Sequence, residues 1–388
     1  MSAVRALLLL FLLPLAGCSW LGGLFDRAED TAAPPAELRP LATGYRIQVV
    51  WSRDVGEGAD ARYLRLMPAV DGGRVFAADL EGRVAAFEAA SGRPVWKVEL
   101  GVPVTGAVGT GEGLVLVGTA EGEVIALDWR DGSEVWRART SGEVLAPPQA
   151  AGGVVVVQSE DGNLAGFDAA TGERKWIFDR DVPPLSLRGT SVPLLLEGAA
   201  ITGLASGKVV ALEAARGIPV WETTLAIPRG RTELQRMVDV DAPVRHRGSL
   251  LYAVAYHGRL AALELVSGKV RWDRRLSSWA GLDVDADQVY VTDEDSAVWA
   301  FDRHSGASRW RQSALLHRQL TAPAVLEDQV LVGDFEGYVH VLSRENGSLL
   351  ARRRIDADGI QAPPVVVGDQ AFVFGKGGRL ARIEVSGP

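Results

Sequence analysis

The 388-residue chain carries 41 basic and 49 acidic side chains, a formal net charge of −8. That balance argues against a nucleic-acid partner, whose phosphates are met by clustered basic charge. A single cysteine, Cys18, excludes an internal disulfide and leaves no cysteine companions for a zinc site.

At the N-terminus, Arg5 precedes an apolar run from Ala6 to Leu13, followed by Leu15-Ala16-Gly17-Cys18. A charge, a short apolar core and small residues before a cut are the parts of a secretory signal. The run is too short for a membrane-spanning helix. Because the small residues end at the only cysteine, the segment resembles a bacterial lipoprotein signal; an ordinary cleaved signal with an incidental cysteine is the plainer alternative. The resemblance implies lipidation of Cys18 as the first mature residue. With Ser19 rather than Asp after it, the resemblance also implies sorting to the outer membrane. Several acyl chains, at about 0.8 kcal/mol per buried CH₂, make a stable anchor. Losing residues 1–17 removes only Arg5 among charged groups, so the mature chain stands at −9, 40 basic against 49 acidic. Residues 18–42, with Pro34-Pro35 and Pro40 and no clear period, are expected to form a flexible tether. From Ser19 its roughly 24 residues span up to about 80 Å when fully extended.

Residues 43–386 are expected to form one repeat domain. Trp51, Trp96, Trp136, Trp176, Trp221, Trp272 and Trp310 are spaced by 45, 40, 40, 45, 51 and 38 residues. A period near 40 marks an array of one supersecondary unit. In one copy Val102 to Val108 begins the unit, and Leu114 to Gly118 follows Gly111-Glu112-Gly113. Glu123 to Leu127 forms a third run, Asp131-Gly132 a tight turn, and Val135 to Ala138 the return strand. Four short antiparallel strands per unit predict an all-β fold, an eight-bladed β-propeller. The last unit, Gly375 to Val385, lacks its fourth strand, and Tyr45 to Trp51 has no hairpin before it. The N-terminal strand is therefore expected to complete the last blade and close the ring, which removes two free sheet edges. The repeated Trp reads as packing between neighbouring blades. Ala351 stands where the seventh copy should have Trp.

The phrase Ala165 to Trp176 resembles the repeat of quinoprotein dehydrogenases, which bind pyrroloquinoline quinone at the propeller centre. It supplies an alternative, a periplasmic quinoprotein-like dehydrogenase or a ligand-sensing propeller. Those enzymes are much longer and carry a vicinal disulfide that this chain cannot form. A closer resemblance covers nearly the whole mature chain. It rests on Leu185-Ser186-Leu187-Arg188-Gly189, Thr232 to Arg236 with Asp239-Val240-Asp241, Leu315-Leu316-His317-Arg318, and Val332 to Tyr338. In these segments the chain is similar to the BamB family, lipoprotein subunits of the outer-membrane β-barrel assembly (BAM) complex. The resemblance implies a non-catalytic scaffold without a cofactor, facing the periplasm. It would bind the POTRA domains of BamA, sit beside other BAM subunits, and support folding and insertion of β-barrel proteins. Unfolded outer-membrane clients, added as strands to blade edges, are a second partner class; no edge is singled out.

The spacing points independently to where such docking belongs. Insertions in repeat proteins map to loops, often on one binding face. Two neighbouring units are long, and the excess lies between the Trp strand and the next blade, at Pro183 to Arg188 and Arg229 to Asp241. Carried over by motif, the partner-binding residues are Leu185, Leu187, Arg188, Asp239 and Asp241. Two exposed leucines would anchor, and Arg188 offers a planar fork. The aspartates, two apart and facing one way in an extended segment, would pair with Arg188 or accept from the partner. Core packing of the leucines and loop capping by the aspartates are the structural alternatives.

Other motifs carry less. Asp283, Asp285, Asp287 and Glu294 follow much of a calcium-loop spacing, but Gln288 stands where Gly is needed and Val289 to Thr292 reads as a strand. Gly203 to Lys208 is one residue short of a phosphate loop. His246, His257, His304, His317 and His340 show no metal-ligand spacing. No catalytic nucleophile with a base is legible.

Overall fold

Eight four-stranded antiparallel sheets follow one another along the chain, as expected. The computed structural model describes residues 33–59, 62–180, 183 and 185–388. Cys18 and the signal segment lie outside the described residues. Blade 1 comprises Ala69–Asp71, Arg74–Ala78, Arg83–Glu88 and Pro94–Glu99. Blades 2 to 7 repeat this plan over 104–139, 149–178, 194–224, 245–275, 281–312 and 324–354. Blade 8 takes Val365–Val367, Gln370–Phe374 and Arg379–Ser386 from the C-terminus and Arg46–Asp54 from the N-terminus. Arg46 pairs with Ser386 and Asp54 with Arg379. The short first strands touch around the axis between successive blades other than 4 and 5, blade 8 against blade 1 among them, and blades 4 and 5 share an apolar core, so the ring is closed.

The second and third strands of each blade are buried on both faces, as in Val154–Gln158 and Lys208–Glu213. The fourth strands alternate, with Val135 and Val220 exposed and Trp136 buried. Six of the seven tryptophans stand opposite a small residue on the third strand, as Trp136 on Ala126, Trp176 on Gly166 and Trp310 on Ala300, while Trp51 faces Arg382. The indole then crosses to the next blade. All seven Nε1 groups donate to a backbone carbonyl there at 2.8–3.1 Å. Beneath each ring lies the next blade's turn glycine, with φ between +65° and +79°. A Cβ on any of Gly92, Gly132, Gly172, Gly217, Gly268, Gly306 or Gly347 would stand 2.5–2.7 Å from the indole. The two conspicuous residues of the repeat are thus halves of one clasp between blades.

The exception at Ala351 has a structural reason. Blade 8 has no covalent turn there, because its last two strands are the two ends of the chain. Ala351 faces Val341 instead of a small residue, which makes up part of the lost volume. Thr43 donates its hydroxyl to Leu350 O, and Arg353 Nη1 donates to Ile47 O at 3.0 Å.

The calcium-like segment is a sheet hairpin, with strands Gly281–Val284 and Gln288–Thr292. Asp285 accepts from the Asp287 and Gln288 amides and from Tyr290 Oη, and pairs with Arg344. Two of the family-like segments meet at a buried ion cluster. Arg318 donates from Nε to Asp334 Oδ2 at 2.8 Å and pairs with Glu336. His340 Nε2 lies 2.8 Å from the same Asp334 oxygen. Arg318 Nη1 also donates to Ala36 O at 3.0 Å, and Ala36 N to Leu316 O at 2.9 Å. Residues within the expected tether are therefore pinned to the propeller, where Leu38 packs against the blade 6–7 core.

Candidate docking face

In a four-stranded antiparallel blade, the link from the fourth strand to the next blade emerges on the same face as the turn between strands two and three. The hydrogen bonds show this, with Thr140 N donating to Gly122 O and Leu225 N to Gly207 O, both at 2.8 Å. The long links 179–193 and 225–244 therefore share one face, as does 55–68, between blades 8 and 1. Among the described residues of the first link, Leu185 is 40 % exposed, Leu187 half-buried and Arg188 half-exposed. The second link carries the one-turn helix Glu233–Arg236, whose Gln235 amide donates to the Thr232 side chain at 3.2 Å. Leu234 and Ile227 project from it, both more than half exposed.

The five residues singled out in the sequence are brought together, in two layers. Leu185 and Arg188 face outward. Asp239 and Asp241 lie beneath, 2 % and 6 % exposed. Asp239 Oδ2 accepts from Leu187 N at 3.3 Å. Gly189 lies against Asp241, and a Cβ there would be 2.5 Å from Oδ1. The first loop rests on the carboxylates of the second. Neither aspartate pairs with Arg188, whose Nη2 goes to Glu143 at 3.0 Å. Asp241 is met by Arg65 Nη1 at 3.4 Å. Burial, and then the neighbouring Asp241, push the Asp239 carboxyl up to about 8. Burial also raises Asp241, against the pull of Arg65.

Sequence reasoning missed Arg65, Glu143 and Trp279. The long interval from Trp51 to Trp96 was the available signal for Arg65, since it marks a third long link on this face. Arg65, Leu145, Thr190, Arg245, Trp279 and Thr321 crowd the axis and leave about 50 Å³ for solvent. That is room for a few waters, against the several hundred Å³ of a usual organic-ligand pocket.

A closed ring of eight blades, clasped by tryptophan on glycine and gathering long links on one face, defines a PQQ-like repeat propeller. The profile of the family described as outer membrane protein assembly factor BamB matches residues 47–108 and 80–312. A relative of that name from Pseudomonas aeruginosa is 52 % identical over 376 residues, 97 % of each chain. One from Bordetella pertussis is 38 % identical over 382 residues, 98 % of this chain and 97 % of its own. The crystal structure of BamB from Moraxella catarrhalis superposes with a TM-score of 0.81 at 27 % identity, covering 87 % of this chain and all of that one. The chain belongs to the BamB family of outer membrane protein assembly factors. Quinohemoprotein alcohol dehydrogenase from Comamonas testosteroni shares the fold alone, with a TM-score of 0.68 at 14 % identity over 87 % of this chain and 76 % of that one.

Proposed function

We propose that this protein is a scaffold subunit of outer-membrane β-barrel assembly rather than an enzyme. Lipid on Cys18 holds it to the outer membrane, facing the periplasm, and it docks the POTRA domains of BamA through the face built by residues 185–188 and 225–241. The relatives' shared name supports the assembly role. Among the described residues, no helix is long and apolar enough to cross a membrane. The observation that carries the docking face is the convergence of outward apolar side chains, Leu185 above all, with Arg188 on a rigid bed of buried carboxylates. Interfaces take most of their affinity from a few such anchors. The leucine supplies apolar area, and Arg188 can exchange Glu143 for a partner carboxylate or carbonyl. In this reading Asp239 and Asp241 act from beneath and do not touch the partner.

The test is the affinity of mature protein for the POTRA region of BamA from the same organism. Leu185→Ala and Arg188→Ala should each weaken binding about tenfold or more with the unfolding temperature unchanged. Wild-type-like binding by both would move the docking face elsewhere. Titration with pyrroloquinoline quinone tests the dehydrogenase alternative, and saturable binding would reinstate it.

A further inference from the structure

We propose that Arg65 is a positioning residue of this face: it reaches across the propeller axis to neutralise Asp241, and so fixes the aspartate pair on which the Leu185–Arg188 loop rests. The inference builds on the docking reading. Arg65 belongs to the link entering blade 1, and Asp241 to the link entering blade 5. In a ring of eight those blades stand opposite each other. The 3.4 Å contact is therefore a strut across the axis, not a contact between neighbours.

The strut is held from both ends. Arg65 Nη2 donates to Trp279 O at 2.7 Å, and its guanidinium lies 5.9 Å from the Trp279 ring centre. Tyr63 meets the same indole edge-on at 6.4 Å. Three links, from blades 8, 4 and 5, thus meet at one arginine. At the other end the Asp241 Oδ1 atom is buried without a hydrogen-bond partner among the described residues. The remaining arginines around the cavity are engaged elsewhere, Arg188 with Glu143 and Arg245 with Asp283. Without Arg65, two adjacent buried carboxylates face each other with no cation between them. A buried charge stripped of its partner is strongly unfavourable, so the pair must take up a further proton or move apart. Either response shifts the Leu187 amide, held by Asp239, and Gly189, seated on Asp241.

Four variants of the mature protein test this: Arg65→Ala, Arg65→Lys, Asp241→Asn and the Arg65→Ala/Asp241→Asn pair. Hydrogen exchange over 185–190 reads the strut without any partner. Faster exchange is expected in Arg65→Ala, with partial recovery in Arg65→Lys and in the pair, where the neutral amide needs no cation. Unchanged exchange in Arg65→Ala overturns the proposal. Affinity for the POTRA region should fall about tenfold in Arg65→Ala, and the pair should bind no worse than that single variant. Additive losses would mean that Arg65 acts independently of Asp241, which also overturns it. Failure of the wild-type protein to bind sinks the docking reading, while the exchange measurement still decides the strut.

Discussion

Two residue types in the repeat are conspicuous in the sequence, and the structure shows them to be one device. The tryptophans were legible because their role is local and repeated, and so were the glycines, whose positive φ suits a tight turn. Their union across the blade interface was not, because the sequence says nothing about which turn lies under which ring. Trp136→Ala should cost about 3–5 kcal/mol, by lost burial and an unfilled gap. Gly172→Ala, whose new methyl would strike that same indole, should also lower the unfolding temperature; a neutral result would refute the clasp. Asp239 was legible by motif, but its environment was not. Burial and the neighbouring Asp241 push the folded carboxyl up to about 8 from an ordinary 3.8. Between those values the folded protein binds more protons than the unfolded chain, so stability is greatest below the lower value and falls as pH rises through the upper. Asn at 239 cannot ionise and still accepts from Leu187. The unfolding temperature of Asp239→Asn relative to wild type should therefore climb from about pH 5 to about pH 8.5. A pH-independent difference would show an ordinary carboxylate.

Among elements, the strands followed directly from short apolar runs and turn chemistry, and the links did not. Spacing marked Pro183 to Arg188 and Arg229 to Asp241 as insertions, and the antiparallel path put the links that hold them on one face. What they do there depends on residues far away in the chain, such as Arg65 and Glu143, which no spacing rule connects. The same holds for Arg318. Its segment was recognisable, but its grip on Ala36, Asp334 and Glu336 is tertiary. Burial holds the His340 imidazole below its usual range, against the pull of Asp334. Arg318 is thus the cation that balances Asp334. Arg318→Met should cost about 3–5 kcal/mol in a denaturant melt, because it leaves that carboxylate buried without its permanent cation and with only His340 beside it. It should also speed exchange at the Ala36 amide. Slow exchange there would show that Leu316 and Leu38 suffice to hold the segment.

At the scale of the whole molecule, the ring was predictable down to the strand that closes it, because a blade short by one strand and a strand without a blade occur at opposite ends of the chain. The seam differs from the other joints. Gly44 and Gly387 bring the two ends side by side, with Pro388 against the former and Tyr45 against the latter, and the joint of blade 7 on blade 8 lacks the indole clasp because Ala351 stands in its place. Hydrogen exchange of the native protein should therefore open first along Arg46–Asp54 and Leu349–Arg354, ahead of equivalent strands in blades 2 to 4. Uniform protection around the ring would contradict that order. The pinned residues just upstream then acquire a mechanical meaning. A pull on the chain before Pro35 would by itself peel the closing strand from Arg46 onward. The bonds of Ala36 to Leu316 and Arg318 meet that load first, as a cable clamp spares the joint behind it.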